Sequence, residues 1–395
     1  MCRVSFLLLF FWNIVLFAFS QEVNIQIKKA LEYSRPVKLS EIASEQSFIT
    51  LDYVSDLEND EDVFTYLLED RIICIGKSIC VFDRNGKLLN LVKFPNTEWF
   101  SNYRDNCRIS LLNEREGALL IPLKPFKEYP IDPVIREYNI DNISTYKMFD
   151  PLYKRKERDW YIGNLSTGEY VFKGENFFGN DTIEFFLCSK DSVLQQISNP
   201  SLFNQEKTTL ALRTGSYYYE NQLYVYEDGD DFIYQLTKEG KKKVYQLGCD
   251  ELKQNNELYL KAVHHSIWTG NKKVVNAVLK KYISSLFFIE CENYLLFSFS
   301  YNNSNYLGYY SKKKKETVIA ELSGNRKSLF ENDLTRKTHF CSTRWYINTK
   351  GELGTLLSPA DSKLLSEPFW DWRSWFPWLF DKKKRGRSVI ILKMR

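Results

Sequence analysis

Residues 71–92, RIICIGKSICVFDRNGKLLNLV, decide how this chain is built. They read as an apolar strand, a tight turn at Gly76, a second apolar strand, a polar reversal ending in Gly86-Lys87, and a third strand. Asp83-Arg84-Asn85-Gly86 carries the chemistry of that reversal, because an Asx side chain bonds its own backbone and Gly accepts the positive φ that other residues resist. The same order recurs, turn for turn, at 221–247, NQLYVYEDGDDFIYQLTKEGKKKVYQL. It recurs more loosely from Asn293, where NYLLFSFS, a YNNSN turn, YLGYY and a lysine-rich turn precede ETVIA. A recurring antiparallel meander is the sequence sign of β-propeller blades.

Working outward, SFITLDYV at 47–54 reads as a first strand whose weak alternation suits burial on both faces inside a stacked blade. SVIILKM at 388–394 is an apolar strand at the other end of the chain. Pairing these two in one blade closes a ring and removes the exposed edges that invite aggregation. Between 95 and 207, GALLIPL, IREYNI, DWYIGNLSTGEYVFKG and DTIEFFLC, followed by TTLALRT at 208–214, supply strands for two middle blades. Their long connections are the kind of loop on which scaffolds carry function. The best helical material lies at 248–282, where Val274, Val275, Val278 and Leu279 share one helical face and predict a short helix over an interblade connection.

The ends bound the compartment. Downstream of Arg3, SFLLLFFWNIVLFAF is shorter than the ~20 apolar residues of a membrane-spanning helix. Ala18 and Ser20 occupy the small-residue positions of a cleavage site, so 1–20 reads as a secretory signal peptide and the mature chain begins at Gln21. Residues 21–46, interrupted by Pro36, read as a lead-in segment, and 47–395 as one propeller domain. With 54 basic and 50 acidic side chains the formal charge is +4, a balance that argues against a nucleic-acid partner. The expectation is an exported, periplasmic or extracellular monomer without a cofactor.

SEIASEQSFITLDYV, the VFDRNGK turn, DDFIYQLTKEGKKKVYQLG, FFIECENYLLFSFS and the terminal SVIILKMR together resemble a family of secreted bacterial six-bladed β-propellers. The resemblance covers most of 40–395. It implies an all-β fold of six four-stranded antiparallel blades, closed by the N- and C-terminal strands. The three meanders are unevenly spaced, so the blade count comes from the resemblance alone. The family is uncharacterised and transfers no catalytic residue.

The candidate sites are few. After cleavage seven cysteines remain, scattered and without C-x-x-C spacing, and there are three histidines, so a structural zinc site has no support. If the turn after Ile75 spans Gly76, Lys77 and Ser78, then Cys74 and Cys80 face each other and can form a cross-strand disulfide; a two-residue turn makes them diagonal. Adjacent His264 and His265 point in different directions and do not chelate one ion. Asp228, Asp230 and Asp231 around Gly229 resemble part of a calcium loop, but the distal Glu is missing and hairpin-turn chemistry explains them; no metal is expected. The lysine runs at 241–243 and 312–315 read as solvated turns and protected edges. Phosphate-loop, zinc-protease and serine-hydrolase signatures are absent.

The oddest stretch is EPFWDWRSWFPWLFDKKKRGR at 367–387, where Trp370, Trp372, Trp375 and Trp378 precede a run of basic side chains. Such aromatics either pack on the propeller flank, or anchor a protein, peptide or glycan, or rest at a membrane interface. The function expected is therefore a binding or interaction module. The alternative is a propeller enzyme, a glycan hydrolase or lyase with acids gathered at the central channel. A third is an envelope-associated scaffold held by the Trp and Lys stretch.

Overall fold

In the computed structural model, six small antiparallel sheets form a six-bladed β-propeller. The structure describes residues 23–58, 63–93, 112–113, 117–123, 134–149, 160–173, 183–198, 214–322, 333–334, 346–348, 350–357 and 385–395. The predicted signal peptide at 1–20 and all of TTLALRT except Thr214 lie outside them. Two strands come first in the chain, β1 (Val23–Asn24) and β2 (Ala43–Asp52). Blade one follows with β3 (Phe64–Leu67), β4 (Arg71–Ile75), β5 (Ser78–Asp83) and β6 (Leu88–Lys93). Blade two holds β7 (Leu112–Asn113), β8 (Ala118–Leu123), β9 (Val134–Asn139) and β10 (Asn142–Phe149). Blade three holds β11 (Trp160–Asn164), β12 (Tyr170–Lys173), β13 (Ile183–Cys188) and β14 (Val193–Ser198). Blade four holds β15 (Thr214–Tyr219), β16 (Gln222–Glu227), β17 (Phe232–Thr237) and β18 (Gly240–Gln246). Blade five holds β19 (Ser284–Glu290), β20 (Tyr294–Tyr301), β21 (Ser304–Ser311) and β22 (Glu316–Leu322).

The last blade closes the ring. Its inner strands are β23 (Tyr346–Ile347), β24 (Glu352–Leu356) and β25 (Arg385–Met394), and β2 supplies its outer strand. Ser47 pairs with Ile391 and Phe48 with Ile390. Strand β2 starts at Ala43, earlier than the sequence pattern suggests, because Ala43 still pairs with Met394. First strands of neighbouring blades touch, β15 with β19 and β19 with β23, so they surround the centre.

Residues 23–42 form a strap over the outside of three blades. Strand β1 adds to the outer edge of blade four in parallel with β18, Val23 opposite Tyr245. Helix α1 (Ile27–Glu32) then packs on β22, and the Arg35 amide donates to the Ile319 carbonyl at 2.9 Å. A 3₁₀ turn at Leu39–Glu41 leads into β2, and the short helix α2 (Ser55–Glu58) follows that strand. The strap thereby covers an edge that would otherwise offer free backbone groups.

The core is a ring of interblade seams. On β4 and β5, Ile73, Ile75, Ile79 and Val81 join a cluster with Leu119, Ile121 and Tyr138 of blade two, which continues to Phe172 and Phe186 of blade three. The alternate residues Ile72, Cys74, Cys80 and Phe82 face the other way and pack with Leu356, Val389 and Ile391 of the closing blade. This explains why RIICI and SICVF read as unbroken apolar runs: a strand between two blades buries both faces. Each fully buried Ile or Phe contributes about 1.5–3 kcal/mol relative to exposure, so the seams hold the ring together. Gly86, at φ +86°, lets the blade-one reversal sit against β2, where the Asp52 amide donates to the Gly86 carbonyl at 2.7 Å.

Candidate functional site: the long-connection face

Strand alternation gives the propeller two unlike ends. At one end lie the turns between first and second, and between third and fourth, strands, each two to five residues long. At the other lie the interblade connections, which run from ten residues at 150–159 to thirty-seven at 247–283. The turns between second and third strands share that end, and three of them are long: 124–133, 174–182 and 357–384.

The short-turn end is a clasp. Arg71 pairs with Asp141 at 2.8 Å between blades one and two, and Lys190 with Glu137 at 2.7 Å between blades three and two. Lys238 pairs with Glu169 at 2.6 Å between blades four and three, and Arg84 with Glu352 at 2.6 Å between blades one and six. Glu290, buried at the end of β19, accepts the hydroxyls of Tyr217 at 2.9 Å and Tyr245 at 2.5 Å, and pairs with Lys312 at 2.6 Å. Between blades five and six, Glu41 accepts the Tyr309 hydroxyl at 2.8 Å and pairs with Arg35 at 2.6 Å. The Arg35 guanidinium, offset in part by burial, holds the Glu41 carboxyl down at about 2. Every seam is thus tied at this end by polar contacts.

The lysine runs are more than solvated turns. Lys312 lies 3.9 Å over the Tyr219 ring, Lys243 lies 3.8 Å over Phe232, and Lys241 pairs with Glu184 at 2.7 Å. Cation–ring and carboxylate partners fix these side chains, a pairing that a one-dimensional charge run conceals.

On the long-connection face, the seam between blades three and four gathers charge. Lys173, at the end of β12, contacts both the Thr214 hydroxyl and the Glu227 carboxylate. Glu184, at the start of β13, is held by Lys241. Burial pushes the Glu184 carboxyl above its usual range, against the opposing pull of Lys241 and Lys173. No local pattern announces this cluster, since its members come from strands far apart in the chain.

The acidic turn of blade four does not converge. Asp228 accepts the amides of Ser285 at 2.9 Å and Leu286 at 3.0 Å, fastening the turn to the inner strand of blade five. Asp230 accepts the Phe232 amide and the Tyr234 hydroxyl, each at 3.2 Å, and Asp231 pairs with Lys253 at 2.7 Å. The three carboxylates serve three separate structural contacts.

The connection from blade four to blade five contains two helices, α3 (Asn256–Thr269) and α4 (Lys272–Leu279). Asn255 and Asn271 cap them by accepting the amides of Leu258 at 3.0 Å and Lys273 at 3.1 Å. Left-handed Gly270, at φ +69°, reverses the chain between them. The predicted face of Val274, Val275, Val278 and Leu279 is half-buried, and α4 packs on α3. His264 accepts the Trp268 indole N–H at 3.0 Å one turn back, and Trp268 is 78% exposed.

Trp370, Trp372, Trp375 and Trp378 lie outside the described residues. The ends of their connection, Leu356 on β24 and Arg385 on β25, emerge at the long-connection end. Cys74 and Cys80 are direct cross-strand partners, in the register a three-residue turn requires, but the structure holds them as free buried thiols and not as a disulfide. Thr65 and Ser78 hydroxyls approach the two sulfurs at 4.0 and 3.8 Å.

Among the described residues no helix is long and apolar enough to cross a membrane. No curated protein matches the sequence. In structure the chain is similar to the "putative exported protein" of Bacteroides fragilis NCTC 9343, with a TM-score of 0.60 and 13% identity, covering 95% of this chain and 100% of that one. It is more distantly similar to a Bacteroides thetaiotaomicron protein of unknown function, with a TM-score of 0.37 and 9% identity over 89% of this chain and 77% of that one. BamB of Moraxella catarrhalis follows at 0.35 and 9%, over 81% and 77%. Residues 18–114 of this six-bladed propeller, about a quarter of the chain, match a family described as a domain of unknown function, DUF4933.

Proposed function

We propose that the protein is an extracytoplasmic interaction module that binds a protein, peptide or glycan on its long-connection face. The observation that carries this reading is the asymmetry between the ends: short turns clasped across every seam on one side, connections of ten to thirty-seven residues on the other. Rigid scaffolds present variable loops in this way. Export is supported by the signal-like 1–20 and by the similarity to a Bacteroides protein described as exported. Trp370, Trp372, Trp375 and Trp378 are assigned to the binding surface, because both ends of their connection reach that face and aromatic anchors supply most of a contact's energy. The module acts as a monomer.

A second reading, a propeller enzyme acting on glycans, has one observation in its favour: the raised carboxyl of Glu184, which suits a general acid. The Lys241 and Lys173 ammonium groups that neutralise Glu184 and Glu227 favour binding over catalysis. Screening residues 21–395 against glycan and peptide arrays tests both. A retained ligand, lost when the four tryptophans become serine, supports the module; a ligand that is retained and cleaved, with cleavage lost in Glu184→Gln, supports the enzyme.

A further inference from the structure

The helical pair α3–α4 carries charge out of proportion to its length. Residues 256–281 hold Lys261, Lys272, Lys273, Lys280 and Lys281 against the single acid Glu257, an excess equal to the +4 of the entire chain. Lys261 is paired with Glu257 at 2.6 Å, but Lys272, Lys273, Lys280 and Lys281 are exposed and have no ion-pair partner among the described residues. Trp268 stands at the reversal beside Lys272 and Lys273, 78% exposed, and Leu258 on the same helix is 47% exposed. The Trp268 indole N–H, the only polar group of that ring, is satisfied within the helix by His264.

An exposed indole whose polar atom is already bonded, separated by one left-handed glycine turn from two exposed lysines without ion-pair partners among the described residues, fits one environment best. The ring gains by leaving water for the boundary between headgroups and acyl chains, while the lysines remain among phosphates. A protein partner would be expected to meet a patch with fewer lysines at its centre, since lysine is depleted in protein interfaces. We propose that the α3–α4 reversal is a peripheral docking site for an anionic phospholipid surface, with Trp268 as the interfacial anchor and Lys272 and Lys273 as the headgroup contacts. This site lies on the same long-connection face but apart in sequence from the tryptophans at 370–378 proposed to hold the ligand, and flotation reads the lipid contact while the arrays read the ligand, so either can fail without the other.

The test is vesicle flotation of residues 21–395, which contain every described residue, with phosphatidylcholine alone and with equal parts phosphatidylcholine and phosphatidylglycerol. The protein floats with the anionic vesicles only, and added salt weakens it. W268A/K272E/K273E lowers partitioning at least ~10-fold, because each surface lysine contributes a several-fold share of the attraction. K313E/K314E, a charge-matched change in exposed lysines on the short-turn end, leaves partitioning within about twofold. Circular dichroism confirms that both variants fold. Wild-type protein that does not float, or an equal loss in the two variants, overturns the proposal. Wild-type protein that ignores vesicles but is retained by immobilised polyglutamate assigns the patch to an acidic protein and overturns the lipid assignment.

Discussion

The carboxylate of Glu290 on β19 accepts the hydroxyl of Tyr217 on β15 at 2.9 Å, joining the innermost strands of blades four and five. Tyr245 and Lys312 complete its partners, and burial together with the Glu290 charge pushes both tyrosine hydroxyls well up, so they remain donors. Glu290→Ala strands two hydroxyls and an ammonium and lowers unfolding stability by about 3 kcal/mol. Glu290→Gln, which keeps an acceptor, costs about 1–2 kcal/mol. Urea unfolding measures both; a loss below about 0.5 kcal/mol for the alanine variant would show that the seam does not depend on this carboxylate.

Glu41 makes the clasp between blades five and six acid-sensitive. Its folded value of about 2 lies below the ordinary 4.5, so its contribution is fully present above pH 4.5 and is lost as pH falls towards 2. Glu41→Gln should remove this component, costing about 1–2 kcal/mol at neutral pH and flattening the acid limb of the stability profile. An unchanged acid limb in the variant would contradict the assignment.

Asp228→Ala leaves the Ser285 and Leu286 amides without their acceptor and should cost about 1–3 kcal/mol. Because each acid of this turn has a protein partner, chelators should leave the melting temperature unchanged. A drop with EDTA that calcium restores would mean the carboxylates serve an ion instead.

Cys74 and Cys80 should resist alkylation in the native protein at pH 8, since burial raises both thiols to about 12. Intact-mass analysis after denaturing alkylation without reductant should count both as free. A linked peptide spanning the β4–β5 hairpin would show that oxidation closes the pair.

Much of the fold is legible because propeller chemistry is local. Asp83 accepts the amides of Asn85 at 2.8 Å and Lys87 at 2.9 Å, so the DRNG reversal can be read from four adjacent residues. The closing pair β2–β25 is legible because both segments are apolar strands without a nearby partner. What escaped the sequence is made between blades. Nothing near Lys173 announces Glu227, and nothing near Glu290 announces Tyr217, because each pair spans most of a blade or more in the chain. The strap was hidden for another reason: Val23–Asn24 is too short for any periodicity, and only its parallel pairing with β18 makes it a strand. Trp268 stood in plain view, but its exposure depends on how α4 packs.

Site-specific photocrosslinking tests the central claim most directly, that function resides on the long-connection face. A photoreactive residue replaces exposed Asn303 or Trp268 on that face, or exposed Lys87 or Lys313 on the short-turn end, in protein expressed in its own cells. The account predicts discrete crosslinked species from Asn303 or Trp268 and none from Lys87 or Lys313. Discrete species arising only from the short-turn positions would contradict it.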